Sequence, residues 1–80
     1  MKILKALGDD TRLKILSRIS RGEVCACELP RMVGISQPAV SQHLKILLAV
    51  KLVEVREEGA RRIYSLSPKG KRVLSDISRW

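Results

Sequence analysis

Leu29-Pro30-Arg31-Met32-Val33-Gly34-Ile35-Ser36-Gln37-Pro38-Ala39-Val40-Ser41-Gln42-His43-Leu44-Lys45-Ile46-Leu47-Leu48-Ala49 carries the strongest structural signal in this chain. Pro30 is tolerated only near the first turn of a helix, where its missing N–H costs no intrahelical bond, and Gly34 is a stop, so a short helix ends there. Ser36 offers a hydroxyl cap and Pro38 a fixed first turn, so a second helix starts at once. Val40, Leu44, Leu47 and Leu48 mark one face of that helix, which runs to about residue 49. A short helix, a turn of Gly34, Ile35 and Ser36, and a longer helix make a helix-turn-helix, whose second helix fits a DNA major groove. At about 100° per residue from Val40, Leu44 and Leu47 turn inward, Pro38, Gln42 and Lys45 turn outward, and Ala39 and Ser41 flank them.

Upstream, residues 2–7 are apolar-rich and end at Gly8, giving a short first helix. Asp9-Asp10-Thr11-Arg12 supplies a cap candidate and early acidic charge, with Thr11 and Arg12 read as capping and ion-pair residues. Leu13, Ile15, Leu16 and Ile19 then keep helical spacing until Gly22, so a second helix spans about residues 10–20. Downstream of residue 49 the period changes. Val53 and Val55 alternate with Glu54 and Arg56, and beyond Glu58-Gly59-Ala60 come Ile63, Tyr64, Ser65 and Leu66, which is a hairpin. Ser67-Pro68 caps a last helix in which Val73, Leu74 and Ile77 face one way. The order α-α-α-α-β-β-α describes a mainly α chain with one β-hairpin, a winged helix-turn-helix in a single domain over residues 1–80.

Composition points the same way. Sixteen Lys and Arg against eight Asp and Glu give a net charge of +8 on 80 residues, which favours a polyanionic partner, nucleic acid first. No Asp or Glu stands between Glu28 and Glu54, so the turn and the long helix approach phosphates without repulsion. Ser36, Gln37, Pro38, Ser41, Gln42 and Lys45 are the candidate contacts to double-stranded DNA, an ordinary solvated helix face being the alternative. His43 sits on the helix flank, read for packing or a phosphate contact ahead of base reading. Arg56, Arg61 and Arg62 of the hairpin are candidate backbone or minor-groove contacts, with surface ion pairs to Glu57 and Glu58 as the alternative. A chain this short buries little, so a second copy is the expected way to enlarge its core. Leu4, Leu7, Val73, Leu74, Ile77 and Trp80 are the candidate dimer interface, or else intramolecular core.

No apolar run approaches the length needed to span a bilayer and the N-terminus lacks the pattern of a secretory leader, so a cytoplasmic protein is expected. One His on a helix flank, no close carboxylate pair and no glycine-rich phosphate loop argue against an enzyme. Cys25 and Cys27, one residue apart, would close only a strained disulfide ring and are more interesting as thiols. Thiolates are soft ligands for thiophilic ions. A redox or alkylation sensor, or simply two small apolar residues at a helix entrance, are the other readings of the pair.

Four stretches together resemble the ArsR/SmtB family: residues 6–16, Val24-Cys25-Ala26-Cys27-Glu28-Leu29, residues 36–47, and Leu52-Val53 with Arg61-Arg62-Ile63-Tyr64-Ser65-Leu66. The resemblance implies a homodimeric repressor that binds an inverted-repeat operator and lets go when an inducer, often a metal or metalloid, binds. It implies that Cys25 and Cys27 take arsenite, antimonite or cadmium, with no cofactor otherwise required. Arsenic-responsive members commonly add a third cysteine three residues on, where this chain has Pro30. Of the family's other site, on the last helix, only Asp76 is present. The rival from another class is a winged-helix protein-interaction module, and among regulators a redox-sensing or ligand-independent one.

Overall fold

Asp10 opens the first described helix, α1 (Asp10–Ser20), and its carboxylate stands where the helix dipole is positive. The computed structural model describes the backbone of residues 10–78 and the side chains of residues 10–76. The first helix expected at 2–7, and the side chains of Leu4, Leu7, Ile77 and Trp80, lie outside the described residues. Ile15, Leu16 and Ile19 of α1 are buried and Leu13 half-buried, the stripe their spacing requires.

A short strand the hairpin reading does not contain comes next. β1 (Val24–Cys25) pairs antiparallel with the second hairpin strand, Val24 opposite Tyr64 and Cys25 opposite Ile63. A 3₁₀ turn (Ala26–Glu28) then runs straight into α2 (Leu29–Val33), with Pro30 in its first turn. Gly34 closes α2 at φ 73°, a left-handed value suited to glycine, and its N–H and that of Ile35 both donate to the Pro30 carbonyl at 2.9 and 3.2 Å. Ser36 caps α3 (Gln37–Ala49), its Oγ accepting the Ala39 N–H at 3.3 Å.

The end of α3 has the bonding of a Schellman motif: the Leu52 N–H donates to the Leu47 carbonyl and the Lys51 N–H to that of Leu48, both at 3.0 Å. Its left-handed residue is Lys51, at φ 62°, where glycine is usual. β2 (Val53–Glu58) and β3 (Arg61–Leu66) follow, joined through Gly59-Ala60 with Glu58 opposite Arg61. The sheet order is β1-β3-β2.

Ser67 then caps α4 (Pro68–Ser78), as its position before Pro68 predicts. Its buried Oγ accepts the Gly70 N–H at 2.9 Å and donates to the Lys51 carbonyl at 2.7 Å, tying the start of α4 to the end of α3. Gly70 allows the close approach: a Cβ there would collide with the Leu52 carbonyl oxygen and stand 2.8 Å from Leu66 Cδ1.

One aliphatic cluster holds these elements together. Ile15, Leu16 and Ile19 of α1 meet Leu29 of α2, Val40, Leu44 and Leu47 of α3, and Val53 and Tyr64 of the sheet. Burying each large aliphatic contributes about 1.5–3 kcal/mol, so the face of α3 turned inward is held firmly and the opposite face stays available. Val73 and Leu74 pack half-buried against the same cluster, so part of the face read as a dimer interface serves the chain's own core. Val55 is 41% exposed although Tyr64 opposite it is buried, β2 having no strand on its outer side among the described residues. No helix among the described residues is long and apolar enough to cross a membrane.

Candidate nucleic-acid interface and thiol pair

Five side chains of α3 form its outer face. Gln37, Pro38, Ser41, Gln42 and Lys45 are exposed, while Val40, Leu44 and Leu47 are buried, so one helix divides into a packed stripe and a polar one. Ser36 is exposed as well, but its oxygen is engaged at the helix start. In that first turn the Ala39 N–H donates to the Ser36 Oγ and the Val40 N–H to the Ser36 carbonyl, while Pro38 has no N–H to offer.

His43 is half-buried on the seam between α1 and α3. Arg12 Nε donates to its Nδ1 at 3.3 Å, so in this arrangement the neutral ring carries its proton on Nε2. The bond ties α3 to the first turn of α1. It favours the packing role for His43. Arg12, read as a capping or ion-pair residue, thus reaches a different helix.

Gln37, Pro38, Ser41, Gln42 and Lys45 form one side of a groove whose other side is Ala60, Arg61, Arg62 and Tyr64 of the hairpin; Cys25, Ala26 and Cys27 also line it. The structure thus gathers the outward residues of α3, two of the three hairpin arginines and both cysteines into one depression. Ser36, His43 and Arg56 lie outside it.

Every hairpin arginine has a carboxylate partner. Arg62 Nε lies 4.0 Å from Glu57, the tip pairing that the sequence suggests. Arg61 instead reaches Glu28, at 3.1 Å. Arg56 bonds both Glu23 and Glu58, the latter at 2.9 Å. Those two carboxylates raise the Arg56 pKa, Glu23 foremost. All these groups are substantially exposed, so each pair is worth little on its own.

The cysteines differ. Cys25 is buried in β1 and Cys27 exposed in the turn, both are free thiols, and their Sγ atoms stand 2.7 Å apart. Contact with the Cys27 thiol foremost, then the Cys27 backbone N–H and the nearby Arg61 guanidinium, hold the Cys25 pKa below the ordinary thiol range, against a smaller upward push from burial. The same thiol contact, with some desolvation, pushes Cys27 up. Arg61 is stabilised as a cation first by Cys25.

Two sulfurs holding one tetrahedral ion through bonds of about 2.3 Å stand roughly 3.8 Å apart, so the pair fits such an ion after opening by about 1 Å. Among the described residues no group of three His, Cys, Asp or Glu is arranged to hold a metal, so the thiols offer two ligands and a third must come from solvent, a small thiol or elsewhere.

Glu23 and Glu28 are the functional candidates that sequence reading passes over. Each lies 33 residues from the arginine it meets, and only the pairing of β1 with β3 brings them together. A two-residue strand shows no alternation from which that pairing is readable.

Known proteins agree with this architecture. The model of the family described as "Bacterial regulatory protein, arsR family" matches residues 9–55. The arsenical resistance operon repressor of Staphylococcus aureus is 43% identical over 75 residues, 94% of this chain and 69% of that protein. Reduced HlyU from Vibrio cholerae superposes with a TM-score of 0.85 at 34% identity, covering 98% of this chain and 83% of that one. A homodimeric winged helix-turn-helix DNA-binding domain from Mycobacterium bovis, described as a possible ArsR-family transcriptional regulator, superposes with a TM-score of 0.84 at 28% identity, over 98% and 72% of the two chains. The matched family model spans most of α1 to β2, the whole helix-turn-helix included, and with these likenesses it shows that the chain belongs to the ArsR family, as a winged-helix, DNA-binding transcriptional regulator and not an enzyme.

Proposed function

We propose that this regulator is a cytoplasmic, homodimeric repressor that binds an inverted-repeat operator and releases it when a thiophilic ion is captured by Cys25 and Cys27. The observation that carries the reading is the groove shared by α3, the hairpin and the thiol pair. Gln37, Pro38, Ser41, Gln42 and Lys45 read base edges or position the helix in the major groove, Ser36 and His43 face phosphates, and Arg56, Arg61 and Arg62 form a wing on the neighbouring backbone. The Mycobacterium bovis relative is homodimeric, and in this reading Val73 and Leu74, with Leu4, Leu7, Ile77 and Trp80, supply the contact between copies.

Cys27 lies in the turn that continues without a break into α2, so an ion that spreads the two sulfurs displaces the first helix of the helix-turn-helix. A coupling of about 1–3 kcal/mol lowers operator affinity roughly 5- to 150-fold, provided the ion binds the DNA-free form better. The name of the Staphylococcus aureus relative makes arsenite the first ion to test.

The experiment is a fluorescence-anisotropy titration onto DNA from upstream of the regulator's own gene, at fixed salt under reducing conditions, with arsenite, antimonite or cadmium. Release by one ion, lost in Cys25→Ser and in Cys27→Ser, supports the sensor. Specific binding that no ion disturbs removes the sensor and keeps the regulator. A second reading, release by oxidation, is favoured by the contact of the two sulfurs and the lowered pKa of Cys25, and an oxidant arm of the same titration separates it.

A further inference from the structure

The segment carrying the two thiols is fastened to the hairpin at both ends. Glu23, just before β1, bonds Arg56, and Glu28, at the end of the 3₁₀ turn, bonds Arg61 at 3.1 Å. Between them β1 is paired to β3 through Val24–Tyr64 and Cys25–Ile63. The carboxylates are therefore placed by backbone pairing, whereas Glu57 and Glu58 belong to the hairpin and travel with its arginines. We propose that residues Glu23 to Glu28 form a latch on the wing, in which Glu23 and Glu28 hold Arg56 and Arg61 in the DNA-free protein and compete with DNA phosphates for them.

This rests on the reading of the wing as a DNA contact. The balance of forces suits a latch. Arg56 and Glu23 are 51% and 53% exposed, Arg61 and Glu28 59% and 37%, so water and salt screen both pairs and they break readily. A phosphate on duplex DNA lies in a dense field of like charges and takes a guanidinium through two parallel bonds, so it wins the exchange. Each arginine's gain from DNA is then reduced by the partner it gives up, and the carboxylate left behind faces the phosphates. Removing a carboxylate and removing its arginine have opposite effects on DNA affinity, and the first effect exists only while the arginine is present.

The test is a double-mutant cycle on DNA affinity, with labelled duplex from upstream of the regulator's own gene as the probe, and thermal melts to verify folding. Arg61→Gln weakens binding and lowers the salt dependence. Glu28→Gln tightens binding about two- to fivefold, and this gain disappears in the Glu28→Gln, Arg61→Gln double variant. Glu23→Gln with Arg56→Gln repeats the cycle at the other end of the segment and decides the matter should a Glu28 variant fold poorly. A gain that survives in the double variants is a general charge effect and overturns the latch, as does no gain at all. Arginine variants that leave affinity and salt dependence unchanged overturn the latch together with the wing reading, a result distinguishable from failure of the latch alone.

Discussion

Replacing Ser67 by Ala removes one oxygen and breaks two bonds. The Oγ caps α4 by accepting the Gly70 N–H at 2.9 Å, and donates to the Lys51 carbonyl at 2.7 Å. Loss of the cap costs about 1 kcal/mol. The Lys51 carbonyl loses its side-chain donor in a part-buried place, and the low end of the penalty for an unpaired acceptor adds about 1 kcal/mol. The expected total of about 2 kcal/mol is a large fraction of the stability of a domain this small. In urea, where such a chain has a slope of about 1 kcal/mol/M, the midpoint falls by roughly 2 M. Variants are compared at equal protein concentration, because self-association adds to apparent stability. Ser67→Asp separates the halves: it restores the cap acceptor but has no proton for the carbonyl, so it recovers less than half of the loss. A cost below about 0.5 kcal/mol for Ser67→Ala, or full stability in Ser67→Asp, would refute the two-bond account.

Three other outcomes are expected. Gly70→Ala, a change that gains about 1 kcal/mol in an open helix, instead loses about 2–3 kcal/mol here because its Cβ meets the Leu52 carbonyl, as chemical denaturation will show. Lys51→Gly relieves a left-handed side-chain residue and stabilises by about 1 kcal/mol, raising the melting temperature by about 4–8 °C. Cys27→Ala removes the strongest support of the Cys25 thiolate, so the pH midpoint of its ultraviolet thiolate absorbance moves upward. The sign for stability follows. With Cys25 held below the ordinary thiol range, its thiolate adds stability above that range, lost as pH falls through the lowered value, and Cys27→Ala narrows that window.

Much of this fold was legible in the chain because its punctuation is strong. Gly22, Gly34, Ser36 with Pro38, and Ser67 with Pro68 bound helices whose apolar spacing is regular, and the inner and outer faces of α3 follow from Val40 alone. Long-range placement was not legible. β1 is too short to show a period, so nothing local announces that Cys25 is buried while Cys27 is exposed, or that Arg61 turns to Glu28 and away from the tip acids. Gly70 reads as a weak helix residue until Leu52 and Leu66 are seen above it. Lys51 gives no sequence signal for a left-handed turn, which the buried pair Leu47 and Leu52 imposes from the core side.

The sheet order leaves β2 with one hydrogen-bonded neighbour among the described strands. Its outer edge is a row of backbone donors and acceptors that another extended chain can copy, a hazard for solubility and for quality control during synthesis. The composition of this edge, Val53-Glu54-Val55-Arg56-Glu57-Glu58, explains an otherwise awkward fact: a hairpin placed to meet a polyanion carries three glutamates on its outer strand. Like charges stacked across a strand-to-strand contact between two copies repel, so the acids that weaken the hairpin's attraction for phosphate also keep it from polymerising. A variant made more basic along β2 to bind DNA harder would be expected to do so at the expense of remaining dispersed at high concentration.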